Sequence, residues 1–340
     1  MFFTTRKTLI ATTAIAAVLA LAVACGGDDD EEGPSAATSD PTGSALTTCA
    51  ESPIAEPIDG ELLPIVISSD LAVGSERFVV GLIDQVEGLP LAGAEMHFKF
   101  FCYDSPDGTE AFESDPEAIV LTKTYTHTHT DGLIESHEAG ETGAYVTYVD
   151  FDRPGTWGVE VTGTAPDGRE IEAVRPTFTV SQESFGLSVG DPAPASVQPV
   201  LADVADITEL DTSVAPIPEQ HNLTVADAIA SGKPTVVAFA TPAFCQTQIC
   251  GPIKEIFDDL YAAHKDEANF VHIEPYDLAR MRSGDCKDLA ACLVPAVNEW
   301  GLQTEPWVFI VGADGKIAAK FDGIASLEEM ETALADTLGA

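Results

Sequence analysis

Short apolar–polar alternation, broken every few residues by turn formers, runs from Glu61 to about Val180 and restricts that stretch to β-structure. Candidate strands are Leu63–Ser69, Arg77–Asp84, Glu95–Tyr103, Ala118–Thr126, Ala144–Asp150, Thr156–Thr162 and Ile171–Val180. Successive side chains on a strand point to opposite faces. Met96, Phe98, Phe100 and Cys102 therefore share one face, and Trp157, Val159 and Val161 another. Asp152-Arg153-Pro154-Gly155 is turn chemistry, expected to join its flanking strands into a hairpin. Short strands with no helical period predict an antiparallel β-sandwich.

The period changes further along. Residues 181–222, rich in Pro, Asp and Ala, read as a junction. Leu223–Ala230 then predicts a short helix with Thr224 as its cap, and Thr235–Ala240 a buried strand. Ile253, Ile256, Phe257, Leu260 and Tyr261 fall on one helical face. Asn269–Glu274 predicts a strand and Ala291–Trp300 a helix; Trp307–Val311 and Lys316–Phe321 predict a hairpin turned at Asp314-Gly315. Leu327–Leu338 closes the chain as a helix capped by Ser326 with Glu329 at the third position. The sum is a βαβ unit, a hairpin and a last helix.

Charge and the first residues speak to location. Against 16 basic residues stand 56 acidic ones, a formal net charge of -40. Such a surface repels phosphate backbones, so no nucleic-acid partner is expected. Arg6 and Lys7 precede an apolar run from Leu9 to Ala24, a secretory pattern too short for a comfortable membrane span. Leu21-Ala22-Val23-Ala24-Cys25 resembles a bacterial lipobox, with Ala22 in place of the common leucine. That resemblance implies lipidation at Cys25, a membrane anchor and a place in the bacterial cell envelope. Ala22-Val23-Ala24 also fits ordinary cleavage and a secreted product. Residues 26–60 read as a disordered acidic linker. With Cys25 set aside, six of the seven cysteines remain, an even number suited to an oxidising compartment.

The chemistry concentrates where the strand Thr235–Ala240 runs through Thr241-Pro-Ala-Phe-Cys245-Gln-Thr-Gln-Ile-Cys250-Gly-Pro252 into the amphipathic helix. A thiol at a helix N-terminus meets unpaired amide donors and the positive end of the dipole, which favour thiolate. Cys245 can reach Cys250 if the loop between them is not helical. Pro252 fits the first turn.

These residues resemble the thioredoxin superfamily in its exported, redoxin-like branch. Cys250-Gly251-Pro252 is similar to the start of that family's Cys-Gly-Pro-Cys motif, although Ile253 stands where its second cysteine belongs. Thr304-Glu305-Pro306-Trp307 resembles its cis-proline loop, and Val189-Gly-Asp-Pro-Ala-Pro194 its opening. The resemblance implies a thiol–disulfide oxidoreductase acting on protein thiols and disulfides, with Cys250 as nucleophile, Cys245 as resolving cysteine and Pro306 in the substrate loop. It implies no organic cofactor. Ala238 occupies the position where many such proteins keep a buried acid. The hairpin over residues 143–163 resembles exported immunoglobulin-like sandwiches. The expected class is thus two-domain: an all-β immunoglobulin-like sandwich followed by an α/β thioredoxin-like domain. The expected boundaries are residues 1–25 signal, 26–60 linker, 61–182 sandwich and 183–340 redox domain.

Two other functions stay open: a copper chaperone of the SCO type, which pairs two cysteines with a histidine, and a redox-inert binding lipoprotein. The remaining cysteines suggest structural bridges, with Cys286–Cys292 stapling a loop and Cys49–Cys102 tying the linker to the sandwich; Cys102 could equally be buried and free. No metal site is expected. His127 and His129 alternate on a strand with His137 beyond, which reads as exposed polar positions rather than a ligand set, and His272 reads as a packed core histidine.

Overall fold

A computed structural model describes residues 48–51, 60–121, 125–128, 134–137, 142–245 and 249–339. The signal and nearly all of the linker expected from the sequence, Cys25 included, lie outside them. From Leu46 onward the chain forms one compact unit.

Among the described residues before 181 there are twelve strands: β1 (Leu62–Val66), β2 (Gly74–Asp84), β3 (Leu89–Pro90), β4 (Glu95–Cys102), β5 (Thr109–Ser114), β6 (Glu117–Leu121), β7 (Tyr125–Thr128), β8 (Ile134–His137), β9 (Thr142–Phe151), β10 (Gly155–Thr164), β11 (Glu170–Val174) and β12 (Thr177–Val180). One sheet runs β1-β2-β9-β6 with β3 added on β2, a second runs β11-β10-β4-β5 with β12 on β10, and β7 pairs with β8 alone. The two larger sheets enclose an aromatic core. Phe78, Val80 and Leu82 of β2 meet Phe98 and Phe100 of β4, Phe151 of β9 and Trp157, Val159 and Val161 of β10. Ring edges meet ring faces, as between Phe78 and Phe100 at 5.0 Å and Phe151 and Trp157 at 5.1 Å, the geometry that aromatic quadrupoles favour. The faces expected from alternation are the ones buried.

The hairpin expected at Asp152–Gly155 is not formed. Strand β9 pairs with β2 and β6, whereas β10 pairs with β4, β11 and β12, so the turn carries the chain from one sheet to the other. Gly155 has φ 128°, and a Cβ there would stand 2.2 Å from the Cys49 carbonyl oxygen. Its missing side chain lets the Cys49 backbone lie alongside, with Cys49 N–H donating to Pro154 O and Thr156 N–H to Cys49 O. The Cys49–Cys102 disulfide then fixes this segment to β4, with Cα atoms 5.3 Å apart.

Past residue 181 the chain runs through short 3-10 turns at Leu201–Asp203, Ile207–Glu209 and Pro218–His221 into α1 (Val225–Ala230) and β13 (Thr235–Phe239). There follow α2 (Cys250–His264), β14 (Asn269–Ile273), α3 (Leu278–Ser283), α4 (Pro295–Glu299), β15 (Trp307–Val311), β16 (Ile317–Asp322) and α5 (Leu327–Gly339). The long helix expected over Ala291–Trp300 is instead a 3-10 turn, Leu289–Cys292, then α4. Pro295 opens α4, and Val294 before it is held extended, as a residue preceding proline prefers. The closing helix has its capping box, Glu329 N–H donating to Ser326 Oγ and Ser326 N–H to Glu329 Oε2.

The expected class needs correction. The described chain is β-rich, and of its five α-helices three have six residues or fewer. The third sheet, β14-β13-β15-β16, is mixed: β13 and β14 run parallel through the crossover α2, but the pairings of β15 with β13 and β16 are antiparallel. An α/β layer needs repeated strand–helix crossovers, and this chain makes one among its described residues. A sandwich followed by an α/β thioredoxin-like domain therefore does not describe it.

Nor are the two parts separate in their packing. Val79, Ile119, Leu121, Ala144 and Val146, on the outer face of the first sheet, join Ile253, Ile256, Phe257 and Leu260 of α2 and Met330 and Leu334 of α5 in one apolar cluster. Arg77 crosses the seam, its Nε 2.9 Å from Glu329 Oε1 and its Nη2 2.8 Å from Ile324 O. That shared face explains why β2 reads as an unbroken apolar run at Phe78-Val79-Val80: it is covered on both sides.

Candidate functional site

Strand β13 is buried at every position, because it lies between β14 and β15. It delivers the chain at Ala240 into a loop that ends at the first residue of α2. Cys245 in the loop and Cys250 at the helix start form a disulfide with Cα atoms 5.9 Å apart. Ile249, at the cap position, offers no side-chain acceptor to the orphan amides of the first turn. Cys245 Sγ takes that place and accepts the Cys250 N–H at 3.3 Å. Cys245 is half-buried, whereas Cys250 has no exposed surface. The helix end thus serves the sulfur of Cys245.

Pro306, preceded by a cis peptide bond, lies one residue before Trp307, which pairs with Phe239 at the end of β13. The topology brings Pro306 and the cysteine loop to the same end of the sheet. Cys286 and Cys292 form the loop staple between α3 and the 3-10 turn, with Cα atoms 5.9 Å apart. Three disulfides among the described residues are consistent with an extracytoplasmic location. No helix among the described residues is long and apolar enough to cross a membrane. His129 lies outside the described residues. On the β7–β8 ladder His127 stands opposite Glu135 and His137 opposite Tyr125, so the register does not pair the two histidines.

Beneath the cysteine loop is a buried polar cluster that the sequence did not disclose. Asp211 and His221, from the stretch read as a junction, meet His272 of β14 and Lys254 of α2. Asp211 Oδ2 lies 3.1 Å from His221 Nε2, 3.2 Å from His272 Nδ1 and 3.9 Å from Lys254 Nζ. Lys254, one helical turn past Cys250, binds both oxygens of Asp258, at 2.7 and 2.9 Å. Burial disfavours the Asp211 carboxylate, yet the His272 and His221 rings outweigh it and hold the group well below the usual range. Burial likewise pushes the His221 imidazole down, against the pull of Asp211.

Glu274, just past β14, is tied to the cysteine loop. Its Oε1 accepts from Thr212 N–H at 2.8 Å and Thr212 Oγ1 at 2.6 Å, and Thr212 Oγ1 accepts from Ala243 N–H at 3.1 Å. Burial pushes the Glu274 carboxyl up to about 7. A cavity of about 510 Å³ opens beside this cluster, with His221, His272 and Glu274 on its wall and Arg280 and Arg282 at its border. One signal could have found the cluster: His272 and Glu274 alternate with apolar Val271 and Ile273 on a strand predicted to be central, where polar groups need a reason.

No family model and no curated protein matches this chain.

Proposed function

We propose that the Cys245–Cys250 pair carries out thiol–disulfide exchange with protein substrates outside the cytoplasm. The observation that supports this is the placement of Cys245 Sγ, partly exposed and accepting a first-turn amide of α2. Such an amide stabilises a thiolate, the form that attacks disulfides. The support comes from the cysteine pair and not from the fold class. The sequence alone favours Cys250 as the attacking thiol; its burial in the bridged form favours Cys245 instead.

In the reduced protein the Cys245 thiolate attacks a substrate disulfide. A mixed disulfide forms and one substrate sulfur leaves as thiolate. Cys250 then attacks Cys245 Sγ, the second substrate sulfur leaves, and the substrate has gained the two electrons that the pair has lost.

Trapping tests the assignment. Cys250→Ser is expected to accumulate a mixed disulfide through Cys245, and Cys245→Ser to form none. Trapping by Cys245→Ser alone would restore Cys250 as the attacking thiol. If neither variant traps substrate and the bridge withstands dithiothreitol in the folded protein, the bridge is structural and the proposal fails. For the membrane, lipid on Cys25 is the favoured anchor, with release after Ala24 as the other outcome: Cys25→Ala should move the protein from the membrane to the soluble fraction.

A further inference from the structure

His272 fixes its own proton. Its Nε2 lies 2.9 Å from Ala240 O, a carbonyl that can only accept, so Nε2 carries the hydrogen. Nδ1 is then the nitrogen left to offer a lone pair to a cation. It lies 3.2 Å from Asp211 Oδ2, is buried, and makes no hydrogen bond. A buried nitrogen beside a carboxylate oxygen, with no hydrogen bond between them, is an arrangement that a shared metal cation would satisfy. Lys254 bonds both oxygens of Asp258 at 2.7 and 2.9 Å and stands farther from Asp211 Oδ2, at 3.9 Å. Asp211 is thus approached by two imidazole nitrogens at 3.1 and 3.2 Å and by one ammonium beyond them.

We propose that Asp211 Oδ2, His221 Nε2 and His272 Nδ1 form a site for one divalent transition metal of the zinc type. The three atoms lie within 4.8 Å of one another, and the carboxylate oxygen stands 3.1 and 3.2 Å from the two nitrogens. Ligands bound to a single zinc ion at about 2.0–2.2 Å stand about 3.3 Å apart in a tetrahedral site, so the carboxylate oxygen already holds nearly that spacing from each nitrogen. Two imidazoles and a carboxylate suit zinc, cobalt(II) and iron(II), and exclude the all-oxygen preference of magnesium and calcium. Binding requires His221 to carry its proton on Nδ1, which leaves a lone pair on Nε2 in place of the N–H that otherwise donates to Asp211.

The surroundings supply what a metal site needs beyond its ligands. His221 and His272 form part of the wall of the 510 Å³ cavity, which gives the ion an entry path and leaves a coordination position open to a water or ligand. Ala240 O orients the His272 ring from its far nitrogen, as outer partners of metal-bound histidines do. Glu274 lines the same cavity with Oε2 buried and unpartnered, placed to accept from a metal-bound water. The cysteines take no part, so the site is independent of thiol–disulfide exchange.

The test uses untagged, full-length protein with its disulfides intact, titrated with Zn²⁺ by calorimetry and with Co²⁺ by visible absorption. One tight equivalent is expected, with cobalt bands of an N/O site and no thiolate charge-transfer band. The Cys245→Ser/Cys250→Ser variant should bind equally well, and Mg²⁺ should not compete. His221→Ala and His272→Ala should lose the tight equivalent, His127→Ala should keep it, and Glu274→Gln should weaken it by about 10–100-fold. Should an alanine variant fail to fold, paramagnetic shifts of the His221 and His272 ring signals in the Co²⁺-loaded wild type answer the same question. Absence of a tight equivalent, its loss in the double cysteine variant, or its survival in His272→Ala would overturn the proposal.

Discussion

Both halves of the molecule bury rings, but the C-terminal half also gathers ionisable side chains into one buried cluster. Phe78, Phe98, Phe100, Phe151 and Trp157 fill one core, and of these only the Trp157 indole N–H needs a partner, which Arg153 O supplies at 3.1 Å. Asp211, His221, Lys254, His272 and Glu274 are withdrawn from water in the other half, each obliged to find a counter-charge or a hydrogen bond. Apolar burial stabilises in rough proportion to area, while burial of charge tends to cost more than the pairing returns. The first core is therefore read as stability. The second is read as function, since a fold gains little by burying so many ionisable groups.

Truncating the aromatic core should do the most damage. Trp157→Ala is expected to lose about 3–5 kcal/mol in denaturant unfolding, and a loss below about 1 kcal/mol would mean that this core is not what holds the sandwich. The disulfides should divide along the same line. Cys49–Cys102 spans 53 residues and Cys245–Cys250 spans 5, so chain entropy gives the first about 4 kcal/mol and the second about 2. Double Cys→Ser variants of each bridge, unfolded side by side, would show whether the buried bridge is the stabilising one. Equal losses would erase the distinction. In the polar core, Lys254→Met leaves the Asp258 and Asp211 carboxylates without their cation and should cost about 1–3 kcal/mol. A more stable variant would show that the cluster is held against a net penalty.

The smallest effect belongs to Asp322, near the seam between the halves, whose carboxyl burial pushes up despite the hydrogen bonds from Ser69. Its folded pKa lies above its unfolded one, so between the two values the native state binds more protons. Stability should therefore rise as pH falls through that window. Asp322→Asn should abolish this part of the pH dependence, and a variant whose stability tracks wild type across acidic pH would show that Asp322 contributes none of it.

Much of the sandwich was legible in its residues because alternation is a local signal. Met96, Phe98, Phe100 and Cys102 declare a buried face without reference to anything distant. What covers the far side of β2 was not legible, since Val79 is packed by α2 and α5, which lie far beyond any local window in the sequence. The expected hairpin at Asp152–Gly155 failed for a related reason: a turn motif says that the chain reverses, not that both strands join one sheet. The cysteine pair could be found because strand, loop and helix are contiguous. Asp211 and His221 could not, because a Pro-rich stretch with few large apolar residues looks like a tether until its partners on β14 and α2 are placed beside it. The α/β class was overread from the one crossover that the sequence does show.

The apolar face of α2 is held in common: its first turn carries Cys250, and Ile253 and Phe257 lie against the outer surface of the sandwich. Thermodynamic reciprocity follows from such a shared support. If opening the bridge loosens α2, the sandwich must feel the same free energy, and a partner that grips the sandwich must shift the balance between dithiol and disulfide by an equal amount. If the pair exchanges disulfides as proposed, the sandwich becomes a handle through which a partner bound there biases the oxidation state of the pair.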